Sequence, residues 1–172
     1  MKRHSLPLLF LTIAGTMRAQ APFTVSLVPS RSTSSERGIA TAASRPDMFY
    51  VIVTNVSEQP HAVWAVSNSW GYRSLSLEMT MSNGTAVTLF KKPQGFTRNL
   101  PSAFLIPPHE HQVFPIRLDS EWQNRPTFPS AGSEPIMMRV IYEVAPSVEA
   151  TDQAVWVGRV VSQSYALTLH HW

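Results

Sequence analysis

Residues 48–81 read MFYVIVTNVSEQPHAVWAVSNSWGYRSLSLEMTM, and their patterning decides the fold class. The first run, Met48 to Thr54, is apolar at Phe49, Val51 and Val53 and again at Tyr50 and Ile52. An apolar sequence on both faces predicts a central strand covered on both sides. Asn55-Val56-Ser57-Glu58-Gln59-Pro60 follows with the residues that favour a hairpin connection. After His61 to Ser67 comes an aromatic loop, Asn68-Ser69-Trp70-Gly71-Tyr72. Leu75, Leu77, Met79 and Met81 then alternate with Ser76, Glu78 and Thr80, the period of a half-buried strand.

Outward from this centre the chain keeps the same character. Phe23, Val25 and Leu27 share one face of a first strand, and Ser30 to Arg45 lacks either period and reads as a loop that could hold a short edge segment. Asn83-Gly84 predicts a tight hairpin returning through Val87 and Leu89, because these residues tolerate the positive φ of such turns. Ala103 to Ile106 is short and apolar, and Phe114, Ile116 and Leu118 alternate after it. Pro115 has no backbone donor and assigns that strand to an edge, or its own position to an unpaired side. Lys92–Ser102 and Asp119–Pro135 read as long connections, the second with a short helical turn at Asp119 to Gln123. Ile136, Met138, Val140, Tyr142 and Val144 lie on one strand face. Ala154 to Leu169 is too long for one straight strand and predicts a bend at Gly158 and at Ser162-Gln163-Ser164. The expectation is an all-β chain of eight to nine strands. Its layout would be an antiparallel immunoglobulin-like β-sandwich with Greek-key connections, a closed barrel being the alternative.

Met1-Lys2-Arg3-His4, the apolar Leu6 to Ala14 and Ala19-Gln20-Ala21 have the order of an export signal with an A-x-A cleavage site. The apolar run is shorter than the ~20 residues a membrane span needs. The expectation is a signal peptide over 1–21, a single domain over 22–172, and a periplasmic or extracellular location. Cleavage would remove Lys2, Arg3 and Arg18, leaving 11 of 14 basic residues against 11 acidic ones. A neutral mature chain gives no electrostatic basis for nucleic-acid binding. The chain has no cysteine, so neither disulfides, nor thiolate chemistry, nor a lipoprotein anchor enter the account.

Residues 49–118 resemble bacterial immunoglobulin-like domains of the intracellular proteinase inhibitor type. The resemblance rests on the turn after Val53-Thr54-Asn55-Val56-Ser57, the Asn-Gly hairpin tip and the polar turn Pro107-Pro108-His109-Glu110-His111-Gln112. It implies the sandwich fold and, more distantly, inhibition of a protease through loops. The segments NSWGY, FTRN, PPHEHQV and IRLDSEW are similar to secreted bacterial proteins of no assigned activity. Neither likeness carries a catalytic residue.

Two groups of residues are candidates for a site. His109 and His111, two apart on an extended chain, could hold a divalent metal if His61, His170 or His171 supplied a third ligand. His170-His171 otherwise reads as a solvated tail. Trp70 and Tyr72 with Asn68, together with Trp122 and the loop residues Phe96 and Phe128, could stack on a sugar ring or anchor a protein partner. The competing reading makes Trp70 and Tyr72 a packed end-cap, with Asn68 bonding the turn. The chain lacks a G-x-S-x-G elbow, an H-E-x-x-H helix, a P-loop and a dinucleotide turn, so no cofactor or reaction is indicated. The expected function is a non-enzymatic role, binding or structural, at the cell envelope. A metal-dependent enzyme at His109/His111 and a proteinase-inhibitor-like module are the alternatives.

Overall fold

A computed structural model describes residues 21–32, 36–41, 47–127 and 131–171. Residues 1–20 of the signal peptide expected over 1–21, and Phe128, lie outside the described residues. The described chain is mostly β, in open and largely antiparallel sheets. Its strands are β1 (Phe23–Val28), β2 (Arg31–Ser32), β3 (Arg37–Thr41), β4 (Phe49–Asn55), β5 (His61–Trp64), β6 (Leu75–Met81) and β7 (Ala86–Lys91). There follow β8 (Ala103–Ile106), β9 (His111–Ile116), β10 (Trp122–Gln123), β11 (Gly132–Val144), β12 (Gly158–Val161) and β13 (Tyr165–His171). Two short helices, α1 (Ser69–Tyr72) and α2 (Val148–Asp152), complete the described elements.

Thirteen strands among the described residues exceed the eight to nine expected. The surplus has identifiable sources. The Ser-rich stretch after Ser30 contributes β2 and β3, Trp122-Gln123 forms β10 in place of the expected helical turn, and the long C-terminal run divides into β12 and β13. Segment β3 escapes a periodicity search because Ile39 is its one large apolar residue, yet that side chain is fully buried.

Strand β11 organises the larger sheet, whose order is β10-β7-β6-β11-β13-β3-β2 with β12 also on β11. Its Ile136, Met138, Val140 and Tyr142 are buried, while Met137 and Arg139 face outward. Strand β6 lies along one side, with Val140 opposite Leu77, and β12 and β13 share the other. Ile141 pairs with Val161, but Met138 pairs with Tyr165, so three residues from Ser162 to Ser164 oppose two on β11. That one-residue excess is a β-bulge. Ser162 fastens it, its Oγ accepting from Val140 N at 2.9 Å and its N–H donating to Val140 O at 2.8 Å. The bend therefore lies where the polar triplet predicts it, with Gly158 at φ 155° opening β12. Gly84 at φ 83° closes the β6–β7 hairpin, and Asn83 Oδ1 accepts from Thr85 N–H at 2.9 Å. Among the described strands one pairing is parallel, β13 with β3, and Ala62 and Val155 form an isolated parallel bridge.

The smaller sheets have the orders β1-β4-β9 and β5-β8. Strand β9 is an edge, where Pro115 costs the least. Strand β4 is central but covered on one face only: Phe49, Val51, Val53 and Asn55 are buried, whereas Tyr50 is 40% exposed in a row with Val28 and Pro115. The turn at 55–60 is also not a hairpin, because β5 pairs with β8 rather than with β4. Asn55 explains the departure. Its fully buried carboxamide donates to Gln59 O, Ile106 O and Pro107 O at 2.7–3.1 Å and accepts from Ser57, tying the turn to the β8–β9 connection. Sheet meets sheet around Tyr142, whose ring packs near Phe23, Phe114 and Trp156. A single buried apolar cluster joins all three sheets.

Candidate functional site

The aromatic loop folds into the four-residue helix α1, and its geometry follows from two small polar residues and one glycine. Asn68 is the N-cap: its Oδ1 accepts from Gly71 N–H at 2.9 Å, and its amide donates to Ser102 O at 2.9 Å. The side chain is 1% exposed. Asn68 therefore organises the loop from inside and presents nothing to a partner. Ser69 N–H donates to Asn99 Oδ1, and Asn99 returns a bond to Ser69 Oγ, both at 2.9 Å, binding α1 to the long β7–β8 connection. Gly71 is required by space, since a Cβ there would stand 2.2 Å from Ala65 O.

Trp70 and Tyr72 leave this helix in different directions, as residues two apart on a helical turn must. Trp70 is half-buried and tilted over the buried Trp64 at 5.6 Å between centroids. Glu149 lies in the first turn of α2, which Ser147 caps by accepting from Ala150 N–H. The Glu149 backbone N–H, then Ser147 and more weakly Trp70, hold its carboxyl below the usual range. Between the two helices lies an open cleft of about 390 Å³. It is lined by Ser69, Trp70 and Arg73 at α1, Ser76 on β6, Glu143 on β11 and Ser147, the N-cap of α2. Sequence reasoning identified Trp70 but not Arg73, Ser76, Glu143 or Ser147. Glu143 and Ser147 belong to a segment distant in sequence, brought to Ser76 by the β6–β11 register.

Tyr72 belongs to a different cluster. Its ring meets Phe96 edge-on at 5.6 Å, and Lys91 Nζ stands 5.6 Å above it and 5.0 Å above Trp122. Lys91 Nζ also pairs with Glu121 at 2.8 Å. Burial, then Glu121 and Asp119, push the Tyr72 phenol above its ordinary pKa. Trp122, expected on an exposed loop, is 2% exposed and part of the core. Its place in β10, opposite Lys91, turns the indole inward, and its aromatic face is covered. The sequence-predicted set Asn68, Trp70, Tyr72 and Trp122 therefore contributes one residue, Trp70, to the cleft.

The histidine turn gathers no third metal-ligating side chain among the described residues. His109 and His111 are exposed, and His109 adopts φ 62°. The ring of His109 lies 3.3 Å from Glu58, and His61 Nε2 is 3.0 Å from Ser57 Oγ. Among the described residues no group of three or more His, Cys, Asp or Glu side chains is placed to hold a metal. His170 is not a solvated tail residue. Ser133 Oγ lies 2.9 Å from its Nδ1, and Glu36 Oε1 makes an ion-pair approach of 2.8 Å to its Nε2, off the line of a good hydrogen bond. Ser133 is the direct cross-strand partner of His170, so register alone places the pair, which fastens the end of β13 to β11.

Comparison with protein-family models, with curated proteins and with solved structures found no match to this chain.

Proposed function

We propose that the protein is an exported, non-enzymatic binding module of immunoglobulin-like sandwich design, acting at the cell envelope, whose partner seats in the cleft between α1 and α2. The observation that carries this reading is the setting of Trp70. A large aromatic side chain lines an open cleft and is held there against the buried Trp64. Rigid aromatic groups bind at low entropic cost, and a cleft of this size falls in the ~300–1,000 Å³ range of small-molecule sites. Polar residues around it, Ser69, Ser76 and Ser147, suit a ligand rich in hydroxyl groups. A glycan therefore fits better than an apolar protein surface. The sandwich assignment is supported by the packing of β1 and β9 side chains against Tyr142 of the larger sheet, and export by the sequence of residues 1–21. The metal-enzyme alternative lacks a third ligand among the described residues. No observation on the loops favours protease inhibition.

A glycan array probed with the mature chain, beside a pull-down from envelope extract, tests the proposal. Glycan retention that Arg73→Ala weakens while the melting temperature stays constant is the expected result. An empty array together with an empty pull-down, from protein shown to be folded, would overturn it.

A further inference from the structure

The charges around the cleft specify the ligand more narrowly, and this step rests on the binding reading above. Acidic groups near the cleft already have partners. Glu143 faces Arg159 at 3.6 Å, and Arg159 reaches on to Glu78, which Arg139 also holds. Glu149 does not line the cleft, and its own backbone N–H and Ser147 hold its carboxyl below the usual range. Arg73 differs. It is exposed on the cleft wall and, among the described residues, has no ion-pair partner. Thus the one uncompensated charge lining the cleft is a guanidinium, whose planar donors match a carboxylate in a bidentate manner. Trp70 stands three residues earlier on the same wall, and residues three apart on a helical turn share a face. The Ser76 hydroxyl lining the same cleft makes no bond to any described residue, so it remains available to a ligand hydroxyl.

We infer that the cleft takes an acidic saccharide, the sugar ring lying against Trp70 and its carboxylate paired with Arg73. A neutral sugar would leave the guanidinium without its partner, so discrimination should come from Arg73 and stacking from Trp70.

The test compares α-1,4-linked digalacturonate with neutral α-1,4-galactobiose, titrated into the mature chain and followed by Trp fluorescence and calorimetry. The acidic disaccharide should bind at least tenfold more tightly at low ionic strength, and the preference should shrink as salt is added. Arg73→Gln, at an exposed position, should fold normally and reduce the preference to within about twofold. Equal affinity for the two sugars, or a preference that survives Arg73→Gln, would overturn the acidic-ligand assignment while leaving a binding cleft in place. Binding of neither disaccharide by folded protein would overturn the assignment as well. The broader binding reading fails separately, only if the array and the pull-down are also empty.

Discussion

The Asn68–Arg73 segment and the Pro107–His111 turn are both short polar connections, and the sequence offers both as sites. They are built in opposite ways. In the first, polar side chains point inward: Asn68 caps α1 from a buried position, Ser74 Oγ donates to Gly71 O at 2.8 Å, and Gly71 leaves no room for a methyl group. In the second, the anchor comes from elsewhere, the Asn55 amide on Ile106 O and Pro107 O, and the histidines project outward. A segment held by its own side chains fixes its aromatic groups in one geometry. A turn held through its backbone leaves its side chains free of the protein interior. Preorganisation, rather than residue type, separates the candidate site from the bystander.

Substitutions in the two segments should therefore differ several-fold in cost. Gly71→Ala should destabilise most, by about 3 kcal/mol, since the added Cβ meets backbone atoms of Ala65 that cannot swing aside. Trp70→Ala should follow at about 2–3 kcal/mol, below the cost for a fully buried indole because Trp70 is only half-buried. Asn68→Ala should cost about 2 kcal/mol, through loss of the cap, which strands the buried Gly71 N–H, and of the bond to Ser102 O. Urea denaturation checks all three. A Gly71→Ala variant within 0.5 kcal/mol of wild type would show that α1 relaxes easily, contrary to the rigid-wall account.

Local pattern made some of this legible. Alternation gave the faces of β1, β6 and β11, Asn83-Gly84 gave its hairpin, and Ser162-Gln163-Ser164 gave the bend. What pattern could not give was pairing at a distance. The turn at 55–60 carries hairpin residues, yet Asn55 is bonded to a connection some fifty residues away, and no local signal marks that. Strand β3 was legible only as a short edge segment in a loop, not as the strand between β13 and β2, because one buried isoleucine makes no period and its partner β13 lies at the far end of the chain. The cleft was half legible for the same reason. Trp70 stands out as a loop tryptophan, whereas Glu143 and Ser147 become its neighbours only through the sheet.

Alkaline pH probes the buried side of the comparison, because the histidine turn contains no tyrosine. Burial pushes the phenols of Tyr72 and Tyr142 above their ordinary value of 10.0, Tyr142 far above it. Above pH ~10 the unfolded chain loses protons that the folded chain keeps, so stability is complete below that pH and declines as pH rises beyond it. At pH 11 Tyr142 alone should account for a loss of about 1.4 kcal/mol, one pH unit above the unfolded pKa. The check is urea denaturation at pH 8 and pH 11 with the absorbance of tyrosinate followed alongside. Tyr142→Phe should flatten part of the decline. If every tyrosine ionised near pH 10 with the fold intact, the packing assigned to Tyr142 would be wrong.

The smallest effects should come from the histidine turn. The His109–Glu58 contact joins side chains that are 62% and 84% exposed, and such pairs contribute between nothing and about 1 kcal/mol. His109→Ala and His111→Ala should each stay within about 0.5 kcal/mol of wild type. His109→Gly should do no worse, because φ 62° costs a glycine nothing sterically, and that gain offsets the freedom glycine adds to the unfolded chain. Zinc gives the sharper test. Two exposed imidazoles without a third ligand should bind Zn²⁺ too weakly at micromolar concentration to raise the melting temperature. A saturable rise that disappears in His109→Ala would mean that the turn recruits a further ligand, and the contrast between a built cleft and an idle turn would be lost.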